Sequence, residues 1–299
     1  MALTDDIRTA CVRVAAQAGR VRIAEAAIEP YAATLPATSP PAPELGPGAS
    51  DEQRAAFLIQ LNAINFGSGW FPTLRKPPGL SGFRTVEAGL RAHGPWSAAE
   101  LAAIGREEIA RALGQDPGHE LMGRFETALR ELGARVRDEH GGTFVALARS
   151  GGASAEALAA RFASWPGWHD VSPYDGEDVP FFKRAQIAAA DLALAGLAPA
   201  RDLHRLTLFA DNLVPHVLRL DGVLVFDDDL VARIEAGELI EHDSPEEVEI
   251  RACALHAVEL LVAAHPGSTA TAVDYVLWHR GGEPRYKARP RHRARTTAY

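Results

Sequence analysis

The run FADNLVPHVL, Phe209 to Leu218, sets one carboxylate, Asp211, between an apolar stretch and a short helix opened by Pro215. By position alone such an aspartate caps the helix, accepting backbone N–H groups left free at its start. Lys183 and Arg184 follow two phenylalanines and open an alanine-rich helix. Two cations there oppose the helix dipole, and an anion would relieve the conflict, either a protein carboxylate or a ligand phosphate. Glu249 and Arg251 lie inside a largely apolar helix, where a buried charge requires a partner. They read equally as a structural ion pair or as substrate contacts. His256 and Glu259 lie one turn apart, which alone does not make a metal site, and the other histidines lack ligand spacing. The acids Asp227, Asp228 and Asp229 read as a helix start.

Several chemistries are absent as motifs. The chain has no GxGxxG behind a strand, no GxxxxGK[ST], no HExxH and no GxSxG. Two cysteines, Cys11 and Cys253, cannot make a disulfide framework or a cysteine zinc site, and they fit a reducing cytoplasm. The N-terminal MALTDDIRTACVRV lacks the basic start and apolar block of a signal peptide, and no apolar stretch has the length of a membrane span. A cytoplasmic location is therefore expected. Net charge is −8, unevenly spread. Residues 280–299 hold seven of the 31 Lys+Arg and one acid, a net +6, which leaves −14 on the remainder. An acidic body disfavours broad nucleic-acid binding, whereas the basic tail can hold one anionic group.

These groups must be carried by helices. Alanine and leucine dominate and β-branched runs are scarce. Residues 3–34 read as two helices, and 35–50 as a Pro/Gly-rich connector within one fold spanning 1–299. Asp51 is placed to cap a helix through Ile64, and a glycine- and proline-rich loop follows over 65–82. Ser81 and Ser97 are placed to open further helices, with others over 119–138 and 143–150. In 181–197 the alanines at 185, 188, 189, 190 and 193 allow close approach of neighbours, and 247–262 is apolar on most sides, as a central helix is. No βαβ alternation or strand ladder is evident, so the fold class is all-α.

Five stretches share an unusual character: FADNLVPHVL, FFKRAQIAAADLA (181–193), EVEIRACALHAVELL (247–261), DYVLW (274–278) and PRHRARTTAY (290–299). In this order and spacing the chain resembles the queuosine salvage protein family, most clearly from Gly141 to Tyr299. The resemblance implies a fold like that of the helical DNA-glycosylase superfamily. It also implies hydrolysis of the N-glycosidic bond of queuosine 5′-monophosphate, releasing queuine, with neither metal nor cofactor. Asp211 matches the family's catalytic aspartate. Loss of a base from a ribosyl C1′ builds oxocarbenium-like charge, which a fixed carboxylate stabilises or captures. Queuine, a 7-deazaguanine, has no N7, so protonation there cannot help the base depart.

The resemblance also assigns substrate contacts. Lys183, Arg184 and Gln186 match KRAQ, and His292, Arg293, Arg295 and Tyr299 match a closing HRxRxxxY; such cations suit a 5′-monophosphate. Glu247, Glu249 and Arg251 match EVEIR, whose carboxylates suit the N–H edge of a guanine-like base. Asn65, Phe66 and Trp70 correspond to an aromatic wall. Asn212, Leu213 and His216 stand where the family has Tyr, Arg and Gln, which places Asn212 and His216 at the pocket and opens the identity of the base. The expected partner is a small-molecule nucleotide 5′-monophosphate, with no membrane and no stable nucleic-acid complex. The alternatives are cleavage of another modified or ordinary purine nucleotide, or a non-enzymatic RNA- or tRNA-binding helical module.

Overall fold

A computed structural model of the chain describes residues 2–43, 45–46 and 48–299. Local capping fixes most helix starts. Ser50, and not Asp51 as expected, caps the helix over 51–63, because its hydroxyl accepts from the Gln53 N–H while the Gln53 side chain accepts from the Ser50 N–H in a capping box. Ser81 and Ser97 cap theirs as expected, and Asp227 accepts from the Leu230 N–H at 2.7 Å. The helices are α1 (Leu3–Gln17), α2 (Glu25–Ala32), α3 (Asp51–Ala63), α4 (Gly82–His93), α5 (Ala98–Ala103), α6 (Arg106–Ala112) and α7 (Glu120–Glu139). They continue as α8 (Phe144–Arg149), α9 (Ala155–Ala163), α10 (Lys183–Leu194), α11 (Val214–Leu220), α12 (Asp228–Glu235), α13 (Pro245–Ala264), α14 (Ala270–Arg280) and α15 (Pro284–Lys287).

The fold is mostly helical, with one correction: two small antiparallel ribbons are present. In the first, β1 (Val21–Ile23) pairs with β4 (Leu224–Phe226), Val21 opposite Phe226. In the second, β2 (Val171–Tyr174) pairs with β3 (Glu177–Pro180), Val171 opposite Pro180. The segment VRI is β-branched but three residues long, too short for a period of two to show in sequence. Among the described residues no helix is long and apolar enough to cross a membrane.

Among the described residues, buried side chains gather into two large apolar clusters and a small one of Ala294, Ala298 and Tyr299. The first is built mainly on α3 to α10, and the second on α1, α2, α11 to α14 and the first ribbon. Helix α13 is buried on nearly all sides, Val248, Ile250, Ala252 to Leu255, Ala257, Val258 and Leu261 all lying in the second cluster. Truncating such a leucine to alanine typically costs about 2–5 kcal/mol. The alanines of α10 let α3 and α9 pack closely against it. The chain crosses between the clusters several times, and two of the crossings bear on the site. Phe181 belongs to the second and Ala185 to the first; Phe209 belongs to the first and Ala210 to the second. Lys183 and Asp211 therefore both sit at the seam.

Candidate active site

The seam is held by one buried ion pair. Arg251 of α13 makes a two-pronged contact with Asp170, 2.9 and 2.8 Å, and donates through Nε to the Ala210 carbonyl at 3.1 Å. Its guanidinium lies over the Phe181 and Tyr299 rings, 3.9 and 4.6 Å from their centroids. Burial alone would loosen its proton, but Asp170 and then Glu247 raise its pKa above the usual arginine value. Asp170 also accepts from the Lys183 N–H at 2.9 Å, while its carbonyl accepts from Phe181 and Phe182. These bonds hold Phe182 at φ 49°, a left-handed conformation costly for an aromatic residue, immediately before Lys183. One arginine–aspartate pair thus fixes the backbone on both sides of the seam, beside Asp211 and at the start of α10.

Asp211 is half-buried, and its Oδ1 accepts from the Leu213 and Val214 N–H groups at 2.7 and 3.2 Å. This satisfies the capping role ahead of α11. Among the described residues no donor is hydrogen-bonded to Oδ2. Three titratable groups act on the same space. Lys183 is buried and donates to the Asn65 carbonyl at 3.0 Å, its one hydrogen bond through Nζ. Burial pushes its pKa down to about 8, against the opposing pull of Asp211. Asp274 of α14 is buried and accepts from the Phe209 N–H at 3.3 Å. Burial, and then the charge of Asp211, raise its pKa well above the ordinary carboxylate value, so it gives up its proton less readily than a solvated aspartate. Arg291 feels the charge of Asp211 and makes no hydrogen bond or ion pair with the described residues. The arrangement offers one carboxylate oxygen without a hydrogen-bond donor among the described residues, one buried carboxyl group with a raised pKa, and two cations with donors to spare.

Other residues expected at the substrate are engaged elsewhere. Arg184 donates to the carbonyls of Ala63, at 2.7 Å, and Gly167, and lies over the Phe66 and Trp168 rings. Gln186 bridges the Phe181 carbonyl and Thr207 at 2.9 Å each. Glu249 accepts from the N–H groups of Gly19, Arg20 and Val21 at 3.0, 2.6 and 3.0 Å, and from the Tyr174 hydroxyl at 2.9 Å. That complement makes Glu249 the anchor of the turn into β1, not a group turned to a base. Glu247 is buried 3.7 Å from Arg251 and 3.4 Å from His242. It belongs with His242 and Asp243 to a group whose candidate ligand atoms lie within 4.8 Å, and it already faces Arg251 and the His242 ring.

Phe66 is buried edge-on to Phe125, and Trp70 is buried with its indole N–H on Glu120 at 2.9 Å, so neither offers an open face. Asn65 contributes its carbonyl to Lys183, and its side-chain amide donates to Asn62 at 3.2 Å.

The C-terminal segment lies across this region. Its backbone accepts from Gly67 (to Tyr299, 3.0 Å) and Gly69 (to Ala294, 3.1 Å). A Cβ at Gly69 would stand 2.6 Å from the Ala294 carbonyl oxygen, so the glycine permits the crossing. The loop's donors thus serve the protein. The three departures around Asp211 serve the same segment. Asn212 donates to the His292 carbonyl at 3.0 Å, Leu213 packs where a Cβ on Gly281 would collide, and His216 Nε2 lies 2.9 Å from the Tyr286 carbonyl. Burial lowers His216 to about 4 and His292 to about 3, so both are neutral. Tyr299 is buried against Arg251. Much of the basic tail is spent on acids: Arg280 and Arg285 on Asp221, Arg289 on Glu235. Arg293 donates to the Gly237 carbonyl, and exposed Arg295 lies 3.7 Å from Glu120.

The structure therefore brings together Asp211, Lys183 and the Asn65 carbonyl, and adds Asp170, Asp274 and Arg291, which the sequence reading did not single out. Asp274 stood in DYVLW as an acid between valine and tyrosine, a signal available but unused.

The family model for queuosine salvage protein matches residues 45–299. A protein of Sphaerobacter thermophilus named "Queuosine 5'-phosphate N-glycosylase/hydrolase" is 37% identical over 211 residues, covering 68% of this chain and 65% of that protein. One of Mus musculus with the same name is 30% identical over 223 residues, covering 68% and 66%. One of Schizosaccharomyces pombe, also so named, is 32% identical over 157 residues, covering 50% and 45%. The matches to the first two span about two thirds of those relatives' length.

Proposed function

This chain belongs to the queuosine salvage protein family, and we propose that it hydrolyses the N-glycosidic bond of queuosine 5′-monophosphate, with Asp211 as the carboxylate at the reacting carbon. The observation that carries the reading is the half-buried Asp211. Two backbone N–H groups fix one oxygen, and the other is left without a protein partner beside Lys183, Asp274 and Arg291. A carboxylate held this way needs no reorganisation to meet positive charge growing at C1′. In the reaction the C1′–N bond breaks and its electron pair stays on the base. Water supplies oxygen to C1′ and hydrogen to the base nitrogen, giving queuine and ribose 5-phosphate. Asp274, whose proton burial and the charge of Asp211 hold more tightly than in a solvated aspartate, is the donor for the departing base or a partner for the water. Arg291 and Lys183 supply charge for the 5′-phosphate, in place of Arg184 and Arg295.

The relatives' names support the substrate class. The RNA-binding alternative loses ground because several basic tail residues are tied to acids of the protein. The test is base release, followed by chromatography, from queuosine 5′-monophosphate, queuosine and guanosine 5′-monophosphate at equal concentration. Queuine and ribose 5-phosphate are expected in equal amounts, fastest from queuosine 5′-monophosphate. Release of guanine alone would move the assignment to an ordinary purine nucleotide, and no release from any of the three would overturn it.

A further inference from the structure

Asp191 lies two turns along α10 from Lys183, half-buried, a lone acid in an alanine-rich helix. Its Oδ2 accepts from Asn62 Nδ2 at 2.7 Å. Asn62 Oδ1 accepts from Asn65 Nδ2 at 3.2 Å, and the Asn65 carbonyl accepts from Lys183 Nζ at 3.0 Å. Asn62 Nδ2 also donates to the Leu58 carbonyl at 3.1 Å. Its amide is therefore fully used, and its orientation is fixed from both ends. Both asparagines point their N–H₂ groups toward position 191, an order that calls for a pure acceptor there, and an ionised carboxylate is one. An acid half-withdrawn from water carries a desolvation cost that an apolar residue on this helix would avoid.

We propose that Asp191 is a positioning residue for the reaction: through Asn62 and Asn65 it fixes the lysine ammonium of residue 183 beside Asp211. The proposal rests on the glycosidase reading for its purpose, though not for its geometry. Lys183 has no ion pair among the described residues, so the Asn65 carbonyl is its only protein tether. That carbonyl sits just past the end of α3, and the Asp191–Asn62 bond pins the last turn of α3 to α10. The groups acting on Lys183 are Asp211, Asp274, Asp170 and Arg184; those acting on Asp191 are Asn62, Lys183 and Glu87. Burial raises Asp191 to about 6, so at neutral pH it is mainly a carboxylate whose charge favours the protonated lysine.

The chain has three lysines, Lys76, Lys183 and Lys287, so a lysine-labelled sample resolves each side chain by NMR. The signal lost in Lys183→Met identifies residue 183. In Asp191→Asn, which keeps an acceptor but removes the charge, the Lys183 titration should move down from about 8 by roughly half a unit or more. Asn62→Ala cuts the next link without changing charge. There kcat for nucleotide cleavage should fall about tenfold through misplacement of the ammonium, with the fold kept. An unmoved Lys183 titration in folded Asp191→Asn overturns the proposal, as does unchanged kcat in Asn62→Ala. The titration is read without substrate, so failure of the glycosidase assignment would show separately, as absence of base release by the wild type.

Discussion

Two buried charge clusters share the seam and are finished differently. Around Arg251 the bonds are closed: Asp170 takes both prongs, the Ala210 carbonyl takes Nε, and two aromatic rings cover the guanidinium. Around Asp211 they are open: one oxygen is unpartnered, Lys183 has a single tether, and Arg291 has none among the described residues. A closed cluster contributes to one fixed geometry, and its groups have nothing left to give a substrate. An open one is poorly compensated by the protein and is completed by a ligand. The closed cluster holds the open one, since Arg251 fixes residue 210 and Asp170 fixes the Lys183 N–H.

The largest effect should come from breaking the closed cluster. Arg251→Met leaves Asp170 buried without its partner and should cost about 3–5 kcal/mol of unfolding free energy. Denaturant titration checks this; a loss under about 1 kcal/mol would mean that Asp170 is not held as described.

Lys183→Met should leave a folded protein and reduce kcat/KM by the equivalent of a charge-assisted hydrogen bond, about 1.5–3 kcal/mol. The loss should be larger for the nucleotide than for the nucleoside. The pH sign follows from burial. The folded pKa of Lys183 is about 8 against an ordinary 10.5, so the unfolded chain binds the proton more tightly. The charged lysine weakens the fold below about pH 8, and the penalty fades as pH rises toward 10.5. Lys183→Met should therefore gain stability relative to wild type at pH 7 and lose that advantage near pH 10. Wild-type activity should decline as pH rises through about 8, a limb absent from the variant.

Smaller still is Arg295→Ala. Its side chain is exposed beside Glu120, so kcat/KM should change by less than about twofold, whereas Arg291→Ala should narrow the preference for nucleotide over nucleoside. Comparing the two variants on both substrates separates an available cation from a surface one. His216→Gln should leave base preference nearly unchanged, because His216 holds the Tyr286 carbonyl. A change above tenfold in the ratio of queuosine to guanosine nucleotide cleavage would place His216 at the base after all.

The helical class and most helix starts were legible because caps and apolar periodicity are local. The division between open and closed charge was not. Arg184 follows Lys183 directly, yet one residue turns a helix by about 100°, enough to send it to the Ala63 and Gly167 carbonyls. Glu249 and Arg251 sit on a helix buried on nearly all sides, where periodicity gives no direction, and one goes to the turn at 19–21 while the other goes to Asp170. Phe66 and Trp70 matched an aromatic wall by type, but burial consumed both. Asp191 and Asp274 each carried a quiet signal, a lone acid among apolar neighbours, which acquires meaning only when partners distant in sequence are known.

The most direct test of the open cluster is turnover by Asp211→Asn, measured at saturating queuosine 5′-monophosphate on protein whose unfolding transition matches wild type. The amide keeps an oxygen to accept the Leu213 and Val214 N–H groups but carries no charge for the sugar. Turnover should fall by about 10³ or more, with nucleotide affinity within roughly tenfold of wild type. Near wild-type release of queuine by folded Asp211→Asn would contradict the account.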